Sequence, residues 1–132
     1  MTESTRSAAP TIVPTLRYRD AAAAIPWLKD AFGFERMTVV ADQDGTIAHA
    51  ELRFGVGVVM LGQLREESGP PVDRQGIYAV VPDSDAHHAR ARAADAEILA
   101  APYDTDYGSR EYTARDPDGH SWSFGTYAPD VT

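Results

Sequence analysis

The sequence predicts an α+β fold built from two βαβββ modules. The order of one strand, one helix and three strands occurs twice along the 132 residues. Shifting the chain on itself by 62 or 63 residues aligns Asp20 with Asp83 and Gly57 with Gly119, within matching elements. A polar, proline-containing stretch separates the two occurrences. These observations indicate a diverged internal duplication.

The domain layout follows from the repeat. We predict a flexible tail because the first ten residues are small and polar without hydrophobic periodicity. A chain of this length supports one compact domain with a shared core. The predicted divisions are the tail at 1–10 and a single domain at 11–128, which consists of a half at 11–64, a linker at 65–75 and a half at 76–128.

The first half begins with an extended segment, "TIVPTLRYRD", in which Pro14 favours an edge or strand-start position. Asp20 then offers an N-cap, and Gly33 ends the predicted helix. Pro26 predicts that the helix begins near Ile25 or that its first turns are distorted. The apolar stripe at i, i+3, i+4 and i+7, which should pack in the core, is Ala24, Trp27, Leu28 and Ala31.

The strands "RMTVVAD", "TIAHAELRF" and "VVMLGQ" follow, and the turn "DQDG" between the first two is typical of a hairpin. The second half repeats the order with "GIYAVVPD", the helix "AHHARARAADAE", and the strands "ILAAPY", "REYTARD" and "HSWSFGTY". Asp116 and Asp118 lack the further ligands of a calcium loop and indicate a turn. His87 and His88 diverge by about 100° around the helix axis, so we expect solvent-exposed polar side chains there.

Alternation along the strands predicts which side chains face the helices. In the third strand the apolar, helix-facing set is Ala48, Ala50, Leu52 and Phe54, whereas His49, Glu51 and Arg53 face the other way. In the second half, Tyr112 and Ala114 match the apolar set. For the last strand of each half, Trp122, Phe124 and Met60 are predicted on the helix side, and Ser121, Ser123, Val59 and Leu61 on the opposite side. His120 shares the parity of Trp122 and is therefore expected to point away from any cavity.

Composition excludes several classes of function. The net charge of −8 and a pI near 4.8 make nucleic acid an unfavourable partner, since phosphate binding draws on clustered Lys and Arg. No run of about 20 apolar residues predicts a membrane span, and the start "MTESTRSAAP" has no apolar core of a signal peptide. We therefore expect a cytoplasmic protein. The absence of cysteine excludes thiolate metal sites and a cysteine nucleophile.

The segments "LRYRDAAAAIPWLKDAFGFE", "AHAELRFGVGVVML" and "RDPDGHSWSFGTY", in this order and spacing, resemble the vicinal oxygen chelate superfamily. That superfamily includes glyoxalase I, extradiol dioxygenases and bleomycin-resistance proteins. The resemblance covers residues 11–128. It implies that paired βαβββ modules form a curved mixed sheet around a cavity, commonly in a homodimer.

The resemblance also implies four metal-ligand positions, which fall at Val13, Glu51, Gly76 and Ser123. Only Glu51 has a strong donor, and no histidine or carboxylate lies within 11–18 or 76–81 to replace the missing ones. A divalent ion normally requires three or four suitable protein ligands. We therefore expect no metal and no other cofactor.

Two kinds of candidate residue remain. His49 and Glu51, at i and i+2 on one strand, could act as acid and base, or with Arg53 they could form only a charge-compensated row. Tyr103 and Tyr107 could stack on a flat ligand or fill a dimer interface, and Tyr78 is expected to face the cavity. The predicted ligand-binding residues are Val13, Thr15, His49, Glu51, Arg53, Val59, Leu61, Tyr78, Tyr103, Tyr107, Glu111, Thr113, Ser121 and Ser123.

The sequence thus supports two hypotheses. The first is a metal-free protein that binds a small hydrophobic or aromatic molecule, for example to sequester a toxic compound and confer antibiotic resistance. The second is a lyase or isomerase in which Glu51 and His49 move a proton beside a carbonyl, with a metal-dependent glyoxalase activity as a weaker version.

Overall fold

The computed structural model describes residue 10, residues 12–66 and residues 75–129. The predicted tail, apart from Pro10, and positions 67–74 of the predicted linker lie outside the described residues. The elements are β1 (Thr15–Tyr18), α1 (Ala21–Phe32), β2 (Glu35–Ala41), β3 (Ile47–Phe54), β4 (Gly57–Gln63), β5 (Gly76–Val80), α2 (Ser84–Ala93), β6 (Glu97–Asp104), β7 (Arg110–Arg115) and β8 (Ser121–Gly125). The α+β class and the repeated βαβββ order are confirmed.

The strands form two separate four-stranded mixed sheets. Their orders are β1-β4-β3-β2 and β5-β8-β7-β6, and only β1 with β4 and β5 with β8 run parallel. The described chain divides into two compact units. The first contains β1 to β4 and α1 as far as Lys29; the second contains Asp30–Phe32, β5 to β8 and α2.

Helix α1 has the predicted ends. The Asp20 side chain accepts a hydrogen bond from the Ala23 N–H, and Gly33 closes the helix at φ 89°, in the left-handed region that favours glycine. Pro26 lies within the helix, which nevertheless begins at Ala21. The buried stripe consists of Ala21, Ala24, Ile25, Leu28, Ala31 and Phe32. Trp27 is only half-buried, because the stripe runs through Ile25 and Leu28 rather than through position 27.

Helix α2 is polar, and its side toward the core consists of small or imidazole side chains. Ser84 and Ala91 are buried, and His87 and His88 are half-buried between them. The prediction that both histidines are solvent-exposed is therefore wrong. The four positions have the spacing i, i+3, i+4 and i+7, which places them on one side of a helix. Helical periodicity alone would therefore have predicted that both histidines lie on the core side.

The alternation predicted for β3 holds from His49 onward and fails at its start. Ile47 is buried and Ala48 exposed. The pairing with β2 shifts between Val40 and Ala41, so Ala41 opposes Ile47 while Val40 opposes His49. The bulge adds Ala48 as an extra residue and reverses the parity before it.

The faces predicted for β4 are also wrong. Leu61 pairs with Ala50 and Val59 with Leu52, and all four are buried on the core side, whereas Met60 pairs with Glu51 on the opposite face. The reason is the length of the turn: four residues separate the paired positions 53 and 58, and five separate positions 115 and 121. Equivalent residues of the two halves are therefore 62 positions apart in the sequence before this turn and 63 positions apart after it.

The core of the second unit is aromatic. Trp122, Tyr112 and Phe124 are fully buried on one face of β7 and β8, as alternation predicted. The Phe32 ring packs on Phe124 at 4.8 Å and on Trp122 at 5.4 Å between centroids. Asp116, in the turn before β8, accepts a hydrogen bond from the Trp122 indole at 3.1 Å.

Candidate functional site

Each sheet has one face that is turned away from its buried core residues; we call it the open face of that sheet. On the first sheet, strand pairing assigns to the open face Thr15, Thr38, Val40, His49, Glu51, Arg53, Val58 and Met60. On the second sheet it assigns Tyr78, Val80, Tyr103, Glu111, Thr113, Arg115, Ser121, Ser123 and Gly125.

Four tyrosines gather on and beside the open face of the second sheet, and we call them the tyrosine cluster: Tyr78, Tyr103, Tyr107 and Tyr127. Their exposed fractions lie between 39% and 60%. The Tyr107 and Tyr127 rings meet edge to face, with centroids 5.9 Å apart and planes at 87°. The Tyr78 hydroxyl donates to the Tyr127 carbonyl at 2.8 Å. The Tyr78 hydroxyl, and that of Tyr107 through its bond to Glu111, are therefore engaged while the ring surfaces remain open.

Glu111 lies beneath this cluster and is only 7% exposed. Its Oε2 accepts a hydrogen bond from the Tyr107 hydroxyl at 2.8 Å. The bond to this carboxylate raises the pKa of Tyr107 above its ordinary value of 10.0, because it favours the protonated phenol. Tyr103 is paired with Glu111 across β6 and β7. Glu111 thus has Tyr107 as its hydrogen-bond partner and Tyr103 as its cross-strand neighbour.

Gly125 allows these side chains to converge. A Cβ at this position would lie 2.6 Å from the Glu111 Cγ and 2.6 Å from the Tyr78 hydroxyl oxygen. Both side chains therefore pass directly over the backbone of β8. Any larger residue at Gly125 would displace them.

Further polar side chains lie on the same face, and two of them bond to each other. The Thr113 and Ser123 hydroxyls lie 3.2 Å apart, and Ser121 sits opposite Arg115 and Gly76. These residues give the open face of the second sheet a polar surface beside the tyrosine cluster.

On the first sheet, His49 and Glu51 meet as the sequence analysis expected. The His49 Nε2 and Glu51 Oε2 atoms are 2.9 Å apart, and the side chains are 41% and 33% exposed. Arg53 does not join them, since its guanidinium pairs with Glu35 on β2 at 2.7 Å. The three residues share a strand and a face, but they form two pairs rather than one continuous row.

The other predicted residues of the first unit separate into two groups. Thr15 lies on the open face opposite Met60, and Val13, just before β1, is half-buried. Val59 and Leu61 are buried on the core side and cannot line the open face. A groove of about 690 Å³ lies in the first unit on the core side of its sheet, lined in part by Ile25, Lys29, Phe34, Ile47 and Leu52. It shares no residue with the His49–Glu51 pair.

The four positions at which the resemblance implies metal ligands do not offer a suitable set of donors. Val13 and Gly76 have no donor side chain, Ser123 is engaged with Thr113, and Glu51 is engaged with His49. Within residues 12–66 and 75–129, no three histidine or acidic side chains come together as a metal-binding group. This donor set does not fit a divalent ion.

His87 has a structural position that the sequence analysis missed. Its Nε2 lies 2.8 Å from the Phe32 carbonyl oxygen and its Nδ1 lies 2.6 Å from the Tyr112 hydroxyl. Because a carbonyl only accepts, Nε2 carries the hydrogen and Nδ1 accepts from Tyr112. Burial lowers the pKa of His87 below 6.5 and raises that of Tyr112 above 10.0, which favours the neutral form of both at pH 7.

Tyr127 and Gly125 were also missed as part of the candidate site. Tyr127 follows β8, outside any alternating strand pattern, and Gly125 contributes only through its missing side chain. Two features of the sequence could have indicated them: a glycine interrupts the aromatic alternation of "SWSFGTY", and a tyrosine comes two residues later.

Neither described helix is both long and apolar enough to cross a membrane.

Comparisons with known proteins agree with this architecture. A crystal structure of TioX from Micromonospora sp. ML1 is 34% identical, with a TM-score of 0.78, covering 91% of this chain and all of that one. The fosfomycin resistance protein FosX from Mesorhizobium loti shares the fold at 16% identity and a TM-score of 0.64, covering 90% of this chain and 92% of its own.

An uncharacterized protein from Mycobacterium bovis is 34% identical over 131 residues, which cover 92% of this chain and 86% of that protein. The model of the Glyoxalase/Bleomycin resistance protein/Dioxygenase superfamily matches residues 11–124. With its two βαβββ units and this match over most of its length, the chain belongs to the Glyoxalase/Bleomycin resistance protein/Dioxygenase superfamily.

Proposed function

We propose that this protein binds a small hydrophobic or aromatic molecule on the open face of its second sheet, without a metal. The tyrosine cluster is the observation that carries this proposal. Its rings are open to solvent, yet hydroxyl bonds hold Tyr78 and Tyr107 in place. Side chains that are ordered before binding lose less conformational entropy when a ligand arrives. Tyrosine also offers a wide apolar surface for an aromatic ring.

Two naphthalene compounds of one shape test this proposal: 2-naphthylmethanol, which is neutral, and 2-naphthylmethylamine, which is protonated at neutral pH. We expect at least one of them to shift the backbone amide resonances of Tyr107 and Gly125 saturably in NMR titrations. Tyr107→Ala should weaken binding, and His49→Ala, on the other sheet, serves as the matched control. The absence of a saturable shift with either compound would refute the proposal.

The metal-free part of the proposal has its own test. We expect a chelator to leave the melting temperature unchanged, because three of the four expected ligand positions lack a histidine or carboxylate donor. Elemental analysis of the purified protein accompanies the melting curves. A stoichiometric divalent ion whose removal lowers the melting temperature would contradict this part.

A biological role in resistance by sequestration, within the cytoplasm, belongs to the same proposal. We also propose a homodimer, because the superfamily commonly assembles in this way; the tyrosine cluster is then the alternative candidate for the interface. Sedimentation of the parent protein and of Tyr107→Ala distinguishes the two uses of the cluster. Loss of the dimer in Tyr107→Ala, without any binding of the naphthalene compounds by the parent, would favour the interface.

A second candidate function is a lyase or isomerase of the glyoxalase type. It is favoured by the 2.9 Å contact between His49 and Glu51, which are partly exposed on the open face of the first sheet. A carboxylate oriented by an imidazole could take a proton from a carbon beside a carbonyl. The test is proton exchange in D2O with the hemithioacetal of methylglyoxal and glutathione as substrate. Exchange that Glu51→Gln abolishes would support catalysis, and equal exchange in both proteins would exclude this role of Glu51.

A further inference from the structure

Glu111 is a buried carboxylate without a cationic partner. It is 7% exposed, and the nearby arginines are engaged elsewhere: Arg110 pairs with two aspartates and Arg115 with a glutamate. No ion pair among the described residues includes Glu111. Burying a carboxylate is costly unless a positive charge or several hydrogen bonds compensate it. Within the described part of the chain, a single phenol provides that compensation.

One carboxylate oxygen of Glu111 remains available from outside. Oε2 accepts from Tyr107, whereas no described group donates to Oε1. Every fully buried side-chain oxygen or nitrogen in the described residues has a hydrogen-bond partner. The unpartnered Oε1 must therefore retain contact with solvent, and it does so on the open face of the second sheet, among the tyrosines.

The surroundings of this oxygen are those that bind organic cations. Tyr103 is the cross-strand neighbour of Glu111, and the Tyr78 hydroxyl passes over the same glycine as the Glu111 side chain. Aromatic faces attract ammonium groups through the ring quadrupole, and the attraction increases where water is excluded. A carboxylate among several tyrosine rings combines this attraction with direct charge pairing.

We propose that the ligand of this face carries a protonated amine or a quaternary ammonium group next to its apolar part, and that Glu111 binds the cation. This inference rests on the proposed function and specifies the class of ligand. A neutral aromatic molecule of the same shape would cover the Glu111 Oε1 without bringing a positive charge to it, and even a hydroxyl donor compensates a carboxylate less than an ammonium group does, so the site discriminates against it. The net charge of −8 acts in the same direction at long range.

The two naphthalene compounds, which differ by an ammonium group in place of a hydroxyl, also test this inference. Dissociation constants are measured at pH 7 by isothermal titration calorimetry, with NMR shifts at Tyr107 and Gly125 locating the site. We expect the amine to bind at least about tenfold more tightly than the alcohol, a factor that corresponds to about 1.4 kcal/mol. In Glu111→Gln, which keeps the size and an acceptor for Tyr107, the two constants should become nearly equal.

The control variant is Asp106→Asn, which removes the same charge from an exposed position in the β6–β7 turn. It should keep the preference for the amine. Equal binding of the amine and the alcohol by the parent protein overturns the inference and leaves the proposed function standing. An undiminished preference in Glu111→Gln also overturns it. If neither compound binds at the cluster, both proposals fail. The comparison in the parent protein remains decisive even if Glu111→Gln does not fold.

Discussion

Replacing Asp116 by Asn should destabilise the protein, because the carboxylate joins the β7–β8 turn to the core. Asp116 is 4% exposed. Its Oδ1 accepts from the N–H groups of Asp118 and His120, at 3.0 Å each, and its Oδ2 accepts from the Trp122 indole at 3.1 Å. Asparagine keeps one acceptor oxygen but presents an NH2 group in place of the other.

The expected cost follows from these contacts. With Oδ1 retained, the two backbone bonds persist but lose the charge of their acceptor. The indole N–H of Trp122, which is fully buried, then faces another donor; an unsatisfied buried donor costs about 1–3 kcal/mol. Together the changes should lower the free energy of unfolding by about 2–4 kcal/mol. For a domain of this size, that corresponds to a fall of about 10 °C in melting temperature.

Urea unfolding, followed by circular dichroism, measures this cost. Asp106→Asn is the matched control and should change stability by less than about 0.5 kcal/mol. A double-mutant cycle with Trp122→Phe isolates the indole contact: in that background Asp116→Asn should cost about 1 kcal/mol less. The reasoning is refuted if Asp116→Asn costs under about 1 kcal/mol, or if its cost is the same in both backgrounds.

Three further predictions concern pH, the site and a helix cap. Burial lowers the pKa of His87 below 6.5. As the pH falls, this imidazole is therefore protonated at a higher pH in the unfolded chain than in the folded one. The free energy of unfolding should therefore decrease as the pH drops below 6.5. His87→Gln should make the free energy of unfolding depend less on pH, as measured by urea unfolding at several pH values. Gly125→Ala should weaken binding of the naphthalene compounds in calorimetric titrations. Gly62→Ala should not, since its Cβ meets chiefly the far end of the Arg17 side chain, on the other sheet; equal effects would contradict the crowding at Gly125. Asp20→Ala should cost about 1 kcal/mol in urea unfolding, and no loss would mean that the cap bond to Ala23 is dispensable.

Much of the fold could be predicted from the sequence because its signals are local. Caps such as Asp20 and Gly33 act within one helical turn, and alternation identified the core faces of β7 and β8 correctly. The errors in the strand faces arose where a single residue changes the register. The bulge at Ala48 and the unequal hairpin turns reverse alternation without any signal in hydrophobicity.

The candidate site was predicted less completely, for a different reason. Alternation placed Tyr78, Glu111 and Ser123 on one face, and the structure agrees. The convergence of the tyrosines on Glu111 depends on a loop residue, Tyr107, and on the absence of a side chain at Gly125. Contacts between residues on different strands and loops are not encoded in periodicity, so the buried acid could not be recognised beforehand.

The position of Phe32 has a consequence for how the two repeats can be separated. This residue is encoded in the first half, yet its ring contacts Trp122 and Phe124 in the second unit, and its carbonyl accepts from His87. A chain that began after the first repeat would lack an aromatic ring in its core and leave the imidazole N–H without its acceptor. The second repeat of the sequence, residues 76–128, therefore lacks part of the core that surrounds Trp122 and Phe124, because Phe32 supplies that part.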